Sequence, residues 1–351
     1  MNPETIREAL RQVRYPGFSR DIVSFGLVKD ITCEADHTHV RLEVQTRDAT
    51  VPDQLFRDCH EVLERLPGVG SLHVKIDVKE TPAPGAAGTL GALPPKVPIE
   101  GVKRIIAVAS GKGGVGKSTV AANLAVALAA TGAKVGLCDC DLYGPSMAQM
   151  LGTRERLMAN ERDEIIPIQA HGIHAMSMGF LLDDHSPVIV RGPMATRYIQ
   201  QFLRQVAWGE LDVLLLDLPP GTGDIPLTIV QTVPVDGAII VTTPQEMALI
   251  DVRKAVSMFE KVEVPILGLI ENMAWFECDA GKKYFLFGEG GGVREAAALE
   301  VPLLGRIPLD SVTRERADSG LPVALLAPGE NPVAAAFHEV AARILAALRT
   351  T

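Results

Sequence analysis

The chain lacks a long apolar run, an excess of positive charge and a regular cysteine framework. Its longest apolar stretches, such as VAANLAVALAA and VLLLDL, fall well short of the ~20 residues that span a bilayer. Lys and Arg number 34 against 43 Asp and Glu, a formal net charge of -9, which argues against non-specific nucleic-acid binding. Five cysteines, Cys33, Cys59, Cys138, Cys140 and Cys278, are scattered over 351 residues. An odd number in that arrangement fits a reducing compartment better than a disulfide-built secreted scaffold. The opening MNPETIREALRQVRYPG has acidic residues and no apolar core, unlike a signal peptide. The expectation is a soluble cytoplasmic protein with neither a membrane nor a nucleic acid as partner.

What is present is an ordinary globular balance, 47% hydrophobic and 22% charged, in a chain long enough for two domains. The stretch 81–98, TPAPGAAGTLGALPPKVP, carries a single charge and has linker composition. The predicted organisation is a small α/β domain over 1–80, a Pro/Ala/Gly-rich linker over 81–100 and a large domain over 101–351. The first part reads αββαβ: a helix at TIREALRQV, two alternating runs joined by a turn at Asp36–His37, a helical PDQLFRDCHEVLERLPGV and a strand LHVKIDV. Such an order predicts a small sheet with helices on one face.

In the second part, short apolar runs at 103–109, 134–138, 212–216, 237–242 and 265–270 alternate with helical stretches, as in a doubly wound, mostly parallel sheet buried on both faces. The closing PVAAAFHEVAARILAALRT repeats apolar residues at three- and four-residue spacing, through Phe337, Val340, Ile344, Leu345 and Leu348. The strand KRIIAVAS runs into GKGGVGKST and then a helix. Gly111, Gly116, Lys117 and Ser118 fit the P-loop pattern at the required spacing. In that pattern backbone N–H groups converge on phosphates at a helix N-terminus. Lys117 then reaches the β/γ-phosphates, and the Ser118 hydroxyl holds Mg²⁺. The expected ATP-binding residues are Gly111, Lys112, Gly113, Gly114, Val115, Gly116, Lys117, Ser118 and Thr119. In KVGLCDCDLYGPS, period two places Asp139 and Asp141 on one side of a strand and Cys138 and Cys140 on the other, toward packing. DVLLLDLPPGTGD ends a strand in an acid, Asp217, and continues into a loop, Pro219–Asp224, placed to sense a γ-phosphate.

Lys112, directly after the first glycine, gives the deviant form of the loop, which resembles MinD, ParA and the nitrogenase iron protein. There the extra lysine reaches a partner subunit's nucleotide, so the resemblance implies an ATP-dependent homodimer. Across 101–345 the marks GKGGVGKST, DLYGPS, SMGF, RGPM, LPPGTGD, ENMAWF and FGEGGG resemble the Mrp/ApbC group of iron–sulfur cluster carrier ATPases. The first part resembles a PaaD/SufT-like domain through RDIVSFGLV. The resemblance implies that Asp141 positions the attacking water, that Asp139 and Asp217 reach Mg²⁺ through its water ligands, and that Asn272 contacts adenine. It implies iron–sulfur apoproteins or assembly factors as partners.

The family carries C-x-x-C after the ENM-aromatic-aromatic segment, and two such pairs hold a [4Fe–4S] cluster between subunits. Here the segment reads Cys278-Asp279-Ala280-Gly281, so Cys278 is a candidate cluster ligand without its partner cysteine. The T-x-x-C-P turn of related small domains is also without its cysteine in TRDATVPDQ, and Cys59 is read as packing. His37, His39, His171 and His174 are read as solvated or hydrogen-bonded. Met176 and Met178 are read as core, and Arg191 as a partner contact or a turn cap. The expected function is an ATP-hydrolysing cluster carrier. The rivals are a cluster-less adaptor, a MinD/ParA-type positioning ATPase and a ligase-like P-loop enzyme.

Overall fold

The computed structural model describes residues 2–13, 21–23, 27–33, 37–45, 50–66, 70–79, 96–153, 155, 157–180 and 192–350. The chain forms two compact units, Met1–Gly91 and Ala92–Thr351. Asp36, Arg191, residues 20 and 24–26 of RDIVSFGLV and most of the 81–98 stretch lie outside the described residues.

The small unit follows the αββαβ order. Helix Pro3–Leu10 and helix Thr50–Glu64 accompany the strands Val28–Cys33, His37–Gln45 and Ser71–Lys79. The middle strand pairs antiparallel with the first and parallel with the third. Strand alternation sends Val40, Leu42 and Val44 into a core with Ile6, Leu10, Leu55, Cys59 and Leu63 from the helices. Cys59 packs there as expected, and burial pushes its thiol up to about 12. The opposite sheet face is polar. His37 and His39 share it with His73, which stacks on His39 at 5.0 Å between ring centroids, and with the Arg41–Asp77 pair at 2.6 Å.

The large unit is built on eight strands in the order Leu303–Arg306, Ile266–Glu271, Gly237–Thr242, Ile105–Ala109, Val213–Asp217, Val135–Asp139, Ile173–Met176, Ile168–Ala170. All neighbours are parallel except the last pair. The five apolar runs are the five strands at its centre. Their side chains are buried on both faces, which is why they read as unbroken runs. The edge strands Ile168–Ala170 and Leu303–Arg306, and Ile173–Met176 next to the former, are short, of mixed polarity or interrupted by glycine and histidine. Helix Lys117–Ala129 is buried along nearly its whole length against helix Pro332–Thr350. Phe337, Val340, Ile344 and Leu348 of the latter are buried, and Leu345 is partly so.

Residues 96–100, expected within the linker, instead join the large unit. The Val97 N–H donates to Thr232 O at 3.2 Å, and Ile99 is buried in its core. An apolar residue beside a sheet gains more by burial than a linker gains by freedom. No helix among the described residues is long and apolar enough to cross a membrane.

Candidate functional site

Strand Ile105–Ala109 ends at the carboxyl edge of the sheet, between Gly237–Thr242 and Val213–Asp217. The crevice outside the carboxyl ends of such strands is where doubly wound sheets bind ligands. GKGGVGKST fills it. Gly111 has to be glycine because a Cβ there would lie 2.3 Å from Asp251 O on helix Glu246–Lys261. Gly116 sits in the left-handed region at φ +79°, with Asn272 Nδ2 2.4 Å from where its Cβ would be. A Cβ on Gly113, by contrast, would meet no atom within 4 Å, so that position faces open space over the loop. Gly116 supplies no side-chain cap to the helix that follows. The first-turn N–H groups of that helix are therefore free for an anion, in the field of the helix dipole.

Register brings the acids together. Asp217 is the lateral neighbour of Asp139 in the adjacent parallel strand, so both carboxyls project on the same side. Lys117 Nζ donates to Asp217 Oδ1 at 2.6 Å and to Ser118 Oγ at 3.3 Å. Asp139 Oδ1 accepts the Asp141 N–H at 3.0 Å, and its Oδ2 accepts from Ser177 Oγ at 2.8 Å. Asp217 Oδ2 is buried without a hydrogen-bond partner among the described residues. One ammonium thus faces two buried carboxyls. Burial pushes the Asp139 carboxyl up to about 7, with the charge of Asp217 adding to the effect and Ser177, the Asp141 N–H and Lys117 opposing it. Burial likewise raises Asp217 against the pull of Lys117. Asp141 lies just beyond the strand end, its Oδ1 accepting the N–H groups of Tyr143 and Gly144 at 3.3 Å each. The loop after Asp217 docks on the glycine loop through the Gly221 N–H to Ser110 O at 2.9 Å. Lys112, half-buried, forms no ion pair among the described residues.

Cys138 and Cys140 point away from the acids, as period two requires. Both are fully buried, their sulfurs 3.9 Å apart. Their mutual contact and burial hold the Cys140 thiol well above its ordinary value. Met176 and Met178 are core residues. His171 bridges Leu151 O and Gly320 O at 3.0 Å each, and His174 Nδ1 lies 3.1 Å from Trp208 O.

Asn272, expected at the base, is buried, and its Nδ2 donates to Val115 O of the loop at 2.9 Å. Shortly after it, a hairpin pairs Phe276–Glu277 with Lys283–Tyr284. Cys278 opens its turn, half-buried, with its N–H on Lys282 O at 3.1 Å and its carbonyl accepting from Gly281 N at 2.8 Å. Gly281, where the second cysteine of C-x-x-C would stand, has φ +73°, a conformation costly for cysteine. The turn that replaces the pair is therefore built around glycine. Among the described residues no group of three or more His, Cys, Asp and Glu is arranged to hold a metal ion.

Sequence reasoning missed two residues of the site and, outside it, one ion pair. Ser177 belongs to the SMGF motif and was visible as a motif without a role. Asp251 has no signal in the sequence beyond lying on a helix. Glu271 and Arg306, joined at 2.7 Å, come together only through the pairing of Ile266–Glu271 with Leu303–Arg306.

A family model described as an NUBPL iron-transfer P-loop NTPase matches residues 101–345. A second, described as an iron-sulfur cluster assembly protein, matches residues 3–76. An iron-sulfur cluster carrier protein of Deinococcus radiodurans is 46% identical over 343 residues, 97% of this chain and 94% of that protein. Among solved structures, a nucleotide-binding protein of Archaeoglobus fulgidus in complex with ADP is 42% identical, with a TM-score of 0.57, covering 63% of this chain and 88% of that one. The septum site-determining protein MinD of Pyrococcus horikoshii, complexed with Mg-ADP, is 27% identical with a TM-score of 0.53, covering 70% of this chain and 98% of that one.

Proposed function

The chain belongs to the NUBPL iron-transfer P-loop NTPase family, and on that premise we propose that it is a homodimeric, Mg²⁺-dependent ATPase that carries iron–sulfur clusters to apoproteins. The observation that carries the nucleotide part is the buried Lys117–Asp217–Asp139 cluster beside an uncapped helix N-terminus. The residues fit Mg²⁺: the Ser118 hydroxyl and the unpartnered Asp217 Oδ2 offer hard oxygen donors, and one ammonium leaves the two carboxyls undercompensated. When bound, the ion supplies positive charge to the β- and γ-phosphate oxygens.

In this reading the free N–H groups at Gly113–Thr119 bind the phosphates. Lys117 exchanges Asp217 for the β/γ-phosphates, and Lys112 reaches the nucleotide of the second copy. Asp141, held at the strand end by its own turn, orients the attacking water. The Pro219–Asp224 loop, tied to Ser110, responds to the γ-phosphate. Turnover is slow, because the hydrolytic arrangement is complete only in the closed dimer. Asn272 braces the loop through Val115 and borders the base.

The cargo part rests on Cys278. One chain offers one thiolate at the hairpin, and a symmetric dimer offers two. Iron–sulfur clusters take four ligands, mostly thiolates. Cargo held here therefore draws its remaining ligands from Asp279, small thiols or a client, and is readily given up. The test is anaerobic reconstitution with iron and sulfide of the purified protein and of Cys278→Ala, with iron, sulfide and visible absorption measured per dimer. A cluster that disappears in the variant supports the carrier. No cluster in either protein, with ATP hydrolysis intact, replaces it with the second reading, which the glycine turn at Gly281 favours: an ATP-switched adaptor without a cluster.

A further inference from the structure

The residues Glu271–Phe276 connect the nucleotide loop to the cysteine hairpin, and one arginine touches both ends of that connection. At the loop end, Asn272 donates to Val115 O from its side chain at 2.9 Å and to Thr242 O from its backbone at 2.8 Å. Met273 follows at φ +56°, a left-handed conformation that a non-glycine residue holds only under constraint. The chain is then stitched to a neighbouring segment by the Ala274 N–H on Ile307 O at 2.9 Å and the Leu309 N–H on Trp275 O at 2.7 Å. The hairpin begins at the next residue.

Arg306 spans this connection. Its Nε donates to Glu271 Oε1 at 2.7 Å, one residue before Asn272. Its guanidinium carbon lies 5.2 Å from the centroid of the Trp275 ring, one residue before the hairpin. Lys283, on the returning hairpin strand, places its ammonium 4.6 Å from the same ring. Glu271 is fully buried, and its other oxygen accepts the Gly292 N–H at 2.5 Å. The contrast with Arg253 is informative. That arginine grips Glu295 with both Nε and Nη2 at 2.8 Å, the bidentate form that an ion pair prefers. Arg306 gives its carboxylate one N–H only, and its Nη2 is buried with no hydrogen-bond partner among the described residues. An arginine serving Glu271 alone would use the fork; this one divides itself between a carboxylate and an aromatic ring.

We infer that Arg306 is a positioning residue that couples the state of the nucleotide loop to the Cys278 hairpin through Glu271 and Trp275, with Met273 as the hinge. The inference rests on the nucleotide reading above and adds how that site addresses the hairpin. A shift of Val115 moves Asn272; because the backbone of Ala274 and Trp275 is tied to Ile307 and Leu309, the adjustment at Met273 is passed on through the Glu271–Arg306 pair to the Trp275 ring and the hairpin that follows it. Two cations close to the ring make the arrangement sensitive to small displacements.

Trp275 is half-buried whereas Trp208 is fully buried, so acrylamide quenching of the intact protein reads Trp275. The experiment measures quenching with Mg²⁺-ADP and with a non-hydrolysable ATP analogue in the parent, in R306M and in R306K, and binding of both nucleotides by calorimetry. The expected result is a quenching difference between the two nucleotides in the parent. Both variants lose it while binding nucleotide as the parent does, because neither side chain serves Glu271 and the ring together. R306K keeps a cation beside the buried Glu271 and carries the comparison should R306M not fold. Retention of the full difference in the folded variants overturns the inference. So does a parent that binds both nucleotides with identical quenching. A parent that binds neither overturns the nucleotide reading itself.

Discussion

Replacing the Asp139 carboxyl by an amide, in D139N, should remove a pH dependence of stability that the buried acid pair creates. The Asp139 carboxyl titrates at about 7 in the folded chain against 3.8 for the unperturbed group. Between those values the folded state holds a proton that the unfolded state has lost, so stability falls as pH rises through the window. The contribution is complete below the unfolded value and gone once the pH passes the folded one. One proton gives a slope of about 1.4 kcal/mol per pH unit. From pH 5.5 to 7.5 only the part below the folded pKa counts, which makes the loss about 2 kcal/mol. An amide carries no titrating proton, so D139N should lack this loss. Both tryptophans lie in the large unit, so urea unfolding followed by their emission, without nucleotide and with chelator present, reports that unit by itself. Parallel stability–pH curves for parent and variant, or a parent that gains stability with pH relative to the variant, would refute the argument that burial and Asp217 raise this carboxyl.

Lys112→Ala should leave nucleotide affinity near that of the parent and reduce ATP hydrolysis by about 10²-fold or more, whereas Lys117→Ala should weaken binding itself; calorimetry beside phosphate release separates the two, and normal hydrolysis in Lys112→Ala would sink the role across the dimer. Gly111→Ala forces a Cβ to 2.3 Å from Asp251 O and should destabilise the large unit by about 1–3 kcal/mol, read as a lowered urea midpoint. Phe337→Ala empties a fully buried site between the closing helix and the sheet and should cost about 3–5 kcal/mol without changing nucleotide affinity.

The centre of the fold was legible because its signals are local. A strand buried on both faces reads as an apolar run, and GKGGVGKST announces a strand end, a tight loop and a helix start within one short motif. The pairing of Asp139 with Asp217 was only half legible. Each acid ends an apolar run, but their adjacency depends on a strand order that places Val213–Asp217 between Ile105–Ala109 and Val135–Asp139. The bonds of Ser177 to Asp139 and of Arg306 to Glu271 were not legible, since each residue gains its partner through lateral pairing or a crossing loop rather than through spacing. The edge strands are too short for period two to register. The 96–100 stretch shows composition failing at a boundary: linker-like residues around Pro98 are held by the Val97 hydrogen bond and the burial of Ile99.

The pleat of the strand Val135–Asp139 also sorts ligand chemistry. Carboxylate oxygens suit Mg²⁺, and thiolates suit iron. Along Cys138-Asp139-Cys140 the oxygen donor faces the phosphate loop, and both sulfurs face the core, with the Cys140 thiol held protonated. A slip of one residue would exchange the two sets and place a pair of soft donors where a hard cation is required. If iron and sulfide are the cargo, as proposed above, such a pair beside the nucleotide would be a trap. Strand register thus acts here as a chemical filter: the phosphate side of the strand is kept free of thiols, and Cys278 is left as the accessible thiol of the large unit.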